Sequence, residues 1–349
     1  MSAGTTLPVH PAVTATDSVA TTAVDARPAG GTATPIRPPS AVTFSGVDTA
    51  VLPPLPPHLP PWPGRAVSSG GVRLHVRETP GADDAEVVFV HGLAGSASNW
   101  TDLAALLAPR ATGVAVDLPG FGHSTPTASR DFTPDGMADA LLCWLAGRGR
   151  PVHLVGNSLG GIVAMTVAAR RPELVRSLAL VSPAVPDRRP DPRRLSDPRM
   201  ALAMVPMLGR GARRALESEP LRSRAERVLR LCFADPARGT DRRLDELVDE
   251  HRFRATLPWA EEATDAATRG LLALWGGRSV WARAAKVQVP SLVVWGGADR
   301  VVSPRLARRT AEALPGARLT VVPDAGHVAQ IERPHAVAAA VAGLWDETV

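Results

Sequence analysis

The stretch that most constrains this chain is the turn Gly156-Asn157-Ser158-Leu159-Gly160, followed by Gly161. Before it runs Pro151-Val152-His153-Leu154-Val155, short and apolar enough for a buried strand. After it, Ile162-Val163-Ala164-Met165-Thr166-Val167-Ala168-Ala169 reads as a buried helix. A serine at such a junction needs a strained backbone to lift its hydroxyl clear of a sheet. Gly156 and Gly160 let strand and helix pass without side-chain collision. The helix N-terminus and the Leu159 N–H then face any negative charge that forms at Ser158. Alone, the pattern also fits a glycine-rich structural turn; the flanking strand and helix favour a nucleophile.

Around this turn the chain alternates between strand and helix patterns. Val72 to Arg77 has period two, as in a half-exposed antiparallel strand, with Gly70-Gly71 as the hairpin turn before it. Glu86 to Val90, Thr112 to Val116, Val175 to Val181, Ser291 to Trp295 and Arg318 to Val322 read as further strands. Helices are expected from Ser98, as cap, to Leu107, over 134–144, from Pro304 to Leu314 with Ser303 as cap, and over 334–345. The expected architecture is α/β.

Two stretches break the alternation. Residues 1–64 hold 13 of the 34 prolines and only five charged groups, which predicts a disordered Pro/Ala/Thr-rich tail ending in a stiff strap pinned by Trp62. Residues 184–289 carry helical patches around 201–208, 221–232, 242–251 and 264–274 and read as a helical insertion, a lid. The core is then 65–183 with 290–349. Residues 187–289 hold 21 basic against 15 acidic side chains, so the chain's net charge of +5 belongs to the insertion. Such a bias fits a solvated face, or a lid that draws in anions or a membrane surface. The apolar run Met200 to Leu208 suggests a greasy face over a pocket.

Composition excludes several functions. Arginine supplies nearly all the positive charge, Lys286 being the one lysine, and no basic stripe interleaves with aromatics, so nucleic acid is not an expected partner. Cys143 and Cys232 fall in separate helices and read as small buried apolar residues, not as a disulfide or metal site. No metal and no cofactor is expected. No run reaches the roughly 18 apolar residues of a membrane span, and no secretory signal opens the chain, so a cytoplasmic protein is expected.

An alkyl hydroxyl is a weak nucleophile at neutral pH and needs a base, which in turn needs an orienting acid. Asp299 follows the strand ending at Trp295, and His327 follows the strand ending at Val322. Both loops leave the carboxyl edge of a parallel sheet, as Ser158 does, in the order serine, acid, histidine. Asp187 is the reserve acid, and Asp324 reads as a turn cap. An oxyanion hole needs two N–H donors: Leu159, and from the loop His91-Gly92-Leu93-Ala94-Gly95 most plausibly Leu93. His91 and His123 read as structural, His91 packing under that loop with Gly92, and His123 bracing a turn.

Together, His91 to Gly95, Asp117-Leu118-Pro119-Gly120-Phe121-Gly122-His123-Ser124, Gly156 to Gly161, Gly296-Gly297-Ala298-Asp299 and Gly326-His327 resemble the serine α/β-hydrolase superfamily over residues 65–349. The branch of esterases, cofactor-free perhydrolases and meta-cleavage C–C hydrolases is the most similar. The resemblance implies an eight-stranded, mostly parallel sheet flanked by helices, with a helical cap after strand six. It implies catalysis by Ser158, Asp299 and His327, an oxyanion hole at Leu93 and Leu159, and support from His91, Gly92, Gly156, Asn157 and Gly160. Serine at 158 argues against dehalogenase and epoxide-hydrolase chemistry. The C–C hydrolases usually carry an aromatic after the histidine, where this chain has Val328. The leading reading is therefore a carboxylic-ester hydrolase acting on a small apolar ester or acyl substrate, with C–C hydrolysis or perhydrolysis as alternatives. A non-catalytic receptor or scaffold would show a broken triad or oxyanion loop, and neither is broken here. The sequence assigns no oligomeric state.

Overall fold

The computed structural model describes residues 46, 48–57, 59–82, 85–187, 218–276 and 279–348. The first 45 residues and the apolar segment 200–208 lie outside the described residues, and so do the expectations made for them.

Eight strands form one sheet: β1 Gly64–Ser69, β2 Val72–Thr79, β3 Glu86–Val90, β4 Thr112–Val116, β5 Val152–Asn157, β6 Val175–Val181, β7 Ser291–Gly296 and β8 Arg318–Val322. Their order is β1-β2-β4-β3-β5-β6-β7-β8. The β1–β2 hairpin and the β2–β4 pair are antiparallel, and all other pairs are parallel. Gly70 and Gly71, both at positive φ, close the hairpin as expected.

Both faces of the sheet are covered, so its central strands are mostly apolar. Along β3, Val88 and Val90 join one hydrophobic cluster while Val87 and Phe89 join the other. Along β7, Val293 and Trp295 oppose Leu292 and Val294 in the same way. The period of two sends alternate residues to opposite faces. Helices α2 Pro134–Ala146 and α3 Leu159–Arg170 cover one face, and α1 Thr101–Leu107 and α10 Pro334–Asp346 the other. Each side chain buried this way contributes about 1.5–3 kcal/mol of transfer free energy.

Between β6 and β7 lie α4 Leu221–Cys232, α5 Asp241–Ala255, α6 Ala260–Gly276 and α7 Ser279–Ala284. Val280 and Ala284 of α7 are buried in the same cluster as α3, so α7 belongs to the layer that covers the sheet. After β7 come α8 Leu306–Ala313 and, between β8 and α10, the four-residue α9 Ala329–Glu332, which has no counterpart in the sequence reading.

The strap before β1 starts with a 3-10 turn over Thr49–Val51 capped by Asp48. Trp62 pins it, its indole N–H donating to the Thr101 carbonyl (3.1 Å) while the Trp62 carbonyl accepts from Arg77.

Three local expectations are corrected. Ser96, not Ser98, caps the first helical segment, in a reciprocal capping box with Asn99, because a 3-10 turn over Ala97–Trp100 precedes α1. Ser303 and Pro304 form a turn, and α8 begins at Leu306 without a side-chain cap. Cys143 is exposed, on the outer side of α2, while its neighbours Leu141, Trp144 and Leu145 face the core.

Candidate active site

Ser158 sits between β5 and α3 with φ 55° and ψ −118°, a left-handed backbone that L residues avoid at a cost of about 1–3 kcal/mol. The surroundings over-determine it. Its N–H donates to the Val181 carbonyl (3.1 Å), and its own carbonyl accepts from Gly161 (3.0 Å) and Ala184 (3.0 Å). Only glycine fits around it: a Cβ on Gly160 would lie 2.2 Å from the Val90 carbonyl oxygen, and one on Gly156 2.4 Å from that of Gly160. Ser158 keeps 9% of its surface accessible.

The tight packing of β7 and β8 as parallel neighbours brings Asp299 and His327 together. A Cβ on Gly296 would lie 1.9 Å from the Gly326 carbonyl oxygen, so the two turns interlock. The Nδ1 of His327 lies 2.9 Å from Oδ2 of Asp299, and both residues are buried. Oδ1 of Asp299 accepts the amides of Val301 (2.7 Å) and Val302 (2.9 Å), which orients the carboxylate. An Nδ1–H donor leaves Nε2 as the acceptor nitrogen of the neutral ring. Asn157, the residue before Ser158, donates through Nδ2 to the carbonyls of Val181 (3.0 Å) and His327 (3.1 Å), tying the serine turn to the histidine loop.

The loop His91–Gly95 lies over the serine: a Cβ on Gly92 would be 3.2 Å from Cβ of Ser158 and 3.1 Å from Oδ1 of Asn157. His91 is fully buried, with Nδ1 2.7 Å from the Gly92 carbonyl and Nε2 accepting the Leu118 N–H (3.0 Å). Burial lowers its pKa, so the ring is neutral near pH 7 and carries its proton on Nδ1. The Gly92 carbonyl is held by that ring and by the Gly95 amide (3.1 Å). In a trans peptide the Leu93 N–H points the opposite way. Leu159 is the first residue of α3, and its N–H has no acceptor within the helix.

Other candidates are turned elsewhere. Asp187 is ion-paired with Arg305 (2.8 Å). Asp324 pairs with Arg238 (3.1 Å) and Arg333. The His123 amide donates to Asp117 (2.9 Å), and its ring stacks on Phe253 of α5 at 4.1 Å between centroids. Burial lowers the pKa of His123. Asp117 is the hub of its motif, accepting from Ala97 N–H (2.6 Å) and lying 2.7 Å from Nδ1 of His75. Burial acts to raise its pKa, but the hydrogen bond from His75 and its other partners outweigh burial and hold the group below the usual carboxylate range. The Cys232 thiol is pushed up to about 12 by burial, with the charge of Asp299 adding to the effect, so it is no nucleophile at neutral pH. Among the described residues, no group of three or more side chains is arranged to hold a metal ion, and no helix is long and apolar enough to cross a membrane.

Two acids have a role in the site region that the sequence alone does not assign, the half-buried Glu250 and the buried Glu332. Glu250 of α5 meets Ser96 (2.8 Å) and Ser98 beside the His91–Gly95 loop. Glu332 at the end of α9 accepts the Gly326 amide (2.7 Å) next to His327. The spacing of Arg243, Glu246, Glu250 and Phe253 along α5 marks one helix face, the signal that points to Glu250. Glu332 closes the stretch His327 to Glu332, which resembles the C–C hydrolases, but the sequence gives it no role of its own.

Residues 86–334 match the model of the alpha/beta hydrolase fold. The chain belongs to this alpha/beta hydrolase family. This alpha/beta hydrolase is 32% identical over 268 residues to a dihydrolipoyllysine-residue acetyltransferase component of an acetoin cleaving system from Cupriavidus necator, covering 75% of this chain and 64% of the relative. It therefore spans less than two thirds of that relative's length. It is also 32% identical over 247 residues to a pimeloyl-[acyl-carrier protein] methyl ester esterase from Chromobacterium violaceum, covering 69% of this chain and 87% of the relative. Its fold is similar to that of Cfl2 from Burkholderia cenocepacia, with TM-score 0.67, 24% identity and coverage of 85% of this chain and 97% of the other.

Proposed function

We propose that this hydrolase is a serine carboxylic-ester hydrolase working through an acyl-enzyme. The observation that carries the reading is the 2.9 Å contact between His327 and Asp299, on a histidine whose carbonyl is tied to the residue before Ser158. Ser158 Oγ attacks the ester carbonyl carbon while Nε2 of His327 takes its proton. Asp299 holds the ring and stabilises the imidazolium that results. The N–H groups of Leu93 and Leu159 stabilise the oxyanion, each worth about 3 kcal/mol in the transition state. The tetrahedral adduct collapses as His327 passes its proton to the leaving alcohol. Water, deprotonated by the same nitrogen, then attacks the acyl-enzyme, releasing the acid and restoring Ser158.

The substrate class is a small apolar ester or acyl compound. Similarity to a methyl ester esterase supports an ester bond. In this reading, residues 65–183 and 290–349 are the catalytic core, 184–289 the lid that sets specificity, and 1–64 a tail and strap.

A serine-directed phosphonate should label the wild-type chain, and Ser158→Ala should abolish both labelling and esterase activity, by a factor on the order of 10⁶ in kcat. Labelling that persists in the variant refutes the assignment. If a coloured dienol substrate bleaches while p-nitrophenyl esters are barely touched, the bond cleaved is C–C.

A further inference from the structure

Glu332 takes no part in the chemistry above, yet its buried side chain meets four donors. Oε2 accepts the N–H of Gly326 (2.7 Å) and of Ala234 (2.9 Å). Oε1 accepts the N–H of Asp235 (2.9 Å) and Nη1 of Arg238 (3.2 Å). Gly326 directly precedes His327, whereas Ala234, Asp235 and Arg238 follow α4 in the insertion between β6 and β7. The carboxylate thus bonds the histidine turn to the insertion.

A second connection runs the other way. The His327 N–H donates to the carbonyl of Cys232, the last residue of α4, at 2.7 Å. The contact is close enough that a Cβ on Gly326 would lie 2.3 Å from that carbonyl oxygen and 2.7 Å from the Ala234 nitrogen. Three bonds therefore hold the backbone around His327: its N–H on Cys232, its carbonyl on Asn157, and the preceding N–H on Glu332. One of the three is made by the insertion itself, and a second uses a carboxylate whose other three donors come from residues 234–238.

We propose that Glu332 is a positioning residue that locks the histidine turn to segment 232–238, so that the aim of His327 at Ser158 is set by the seating of the insertion as well as by Asp299. The proposal rests on the serine-hydrolase reading. An insertion that lifts away takes with it the Cys232 carbonyl, one of the three anchors, and three of the four donors that hold Glu332, the acceptor of a second. Hydrolysis is thereby coupled to a seated insertion, without any residue of the insertion touching the reacting atoms.

Glu332→Gln turns an NH₂ group towards donors and breaks the lock with little change in volume. Its kcat should fall on the order of 10- to 100-fold, the scale of an ångström-sized misplacement, with KM nearly unchanged. Rates are taken per active site titrated with phosphonate, which removes any unfolded fraction. A merely structural role would add its cost in any background, whereas a role exercised through His327 is non-additive with the loss of Asp299. The Gln variant should therefore cost much less in an Asp299→Asn chain than in wild type. Additive losses, an effect on KM alone, or an unchanged kcat per titrated site overturn the proposal. If Glu332→Gln does not fold, Arg238→Met, which removes one donor and leaves three, is measured in its place. Its kcat should drop severalfold at constant KM, and a wild-type kcat overturns the proposal equally. Loss of activity in Ser158→Ala beside a wild-type Glu332→Gln defeats only the positioning role; activity retained in Ser158→Ala defeats the underlying reading.

Discussion

Ser158 shows how few residue types a single position allows. Its left-handed φ of 55° needs a reason to exist in a serine, and the close-packed Gly156 and Gly160 and the three backbone bonds described above supply the constraint. The carboxylate partner is equally specific. Asp299 has Oδ1 on two amides and Oδ2 on His327, so Asp299→Asn keeps the shape while presenting an amide where the imidazole N–H needs an acceptor. That variant should fold normally and lose about 10⁴ in kcat, by analogy with other triads. Steady-state kinetics with a p-nitrophenyl ester checks it, and near-normal turnover would reassign the acid. Asp187, ion-paired with Arg305, is not expected to take part: Asp187→Asn should change kcat by less than about twofold.

At the scale of elements, α5 docks on the core along one face. Arg243 pairs with Asp102 (2.6 Å), Glu250 meets Ser96 and Ser98, the Phe253 ring lies on His123, and the Arg254 guanidinium sits over Phe121 (5.0 Å). Burial raises the Glu250 pKa above its ordinary 4.5, against the lowering effect of the two serine hydroxyls, with the nearby charges of Asp117 and Glu246 adding to the rise. The folded chain thus keeps a proton that the unfolded chain releases near pH 4.5. The stability this group contributes is complete below that pH and declines as pH rises through the raised folded value. Glu250→Gln has no proton to lose. The stability difference between wild type and Glu250→Gln, from urea midpoints between pH 4 and 8, should shift towards the variant as pH rises. The histidines whose pKa burial lowers, the buried His91 and His153, the half-buried His251 and the largely exposed His123, act in the opposite sense, favouring the fold as pH rises towards about 6.5, and they cancel in that difference. A difference that is flat with pH refutes an ionising Glu250.

Across the whole molecule, the charge of the insertion looks different once its ion pairs are drawn, while the strap is fastened at the tryptophan expected. Of the basic excess in the insertion, eight arginines against three acids fall within 188–217, outside the described residues. Within the described part, Arg222, Arg230, Arg238, Arg243 and Arg252 are ion-paired, so α4 and α5 present a largely neutralised surface. The strap is fastened at Trp62, which is half-buried and hydrogen-bonded to Thr101. Trp62→Ala should cost about 1–2 kcal/mol of stability, from partial loss of apolar burial and one hydrogen bond, with kcat unchanged. Chemical denaturation alongside an activity assay reads both; a loss of kcat at full stability would mean the strap reaches the site.

The sequence by itself determined the strands buried on both faces. β3, β4, β6 and β8 carry the expected ends; β3, buried along its whole length, is apolar after Glu86 and stops where polarity resumes. It determined the serine turn as well, since close backbone approach demands glycine at 156 and 160. Caps and faces were less legible. Ser96 and Ser98 are chemically alike, and only the 3-10 turn between them chooses one, while Cys143 faces outward because of how α2 is rotated on the sheet. Tertiary structure alone decided which acid meets His327, for Asp187 and Asp299 both follow strands at the same edge. The pairing of β7 beside β8 sets the contact, and strand order is a property of long-range packing that no local spacing encodes. The same holds for Glu250 and Glu332, whose partners lie 154 and 98 residues away along the chain. Burial and hydrogen bonding across such distances exist only once the sheet and the insertion have closed on each other.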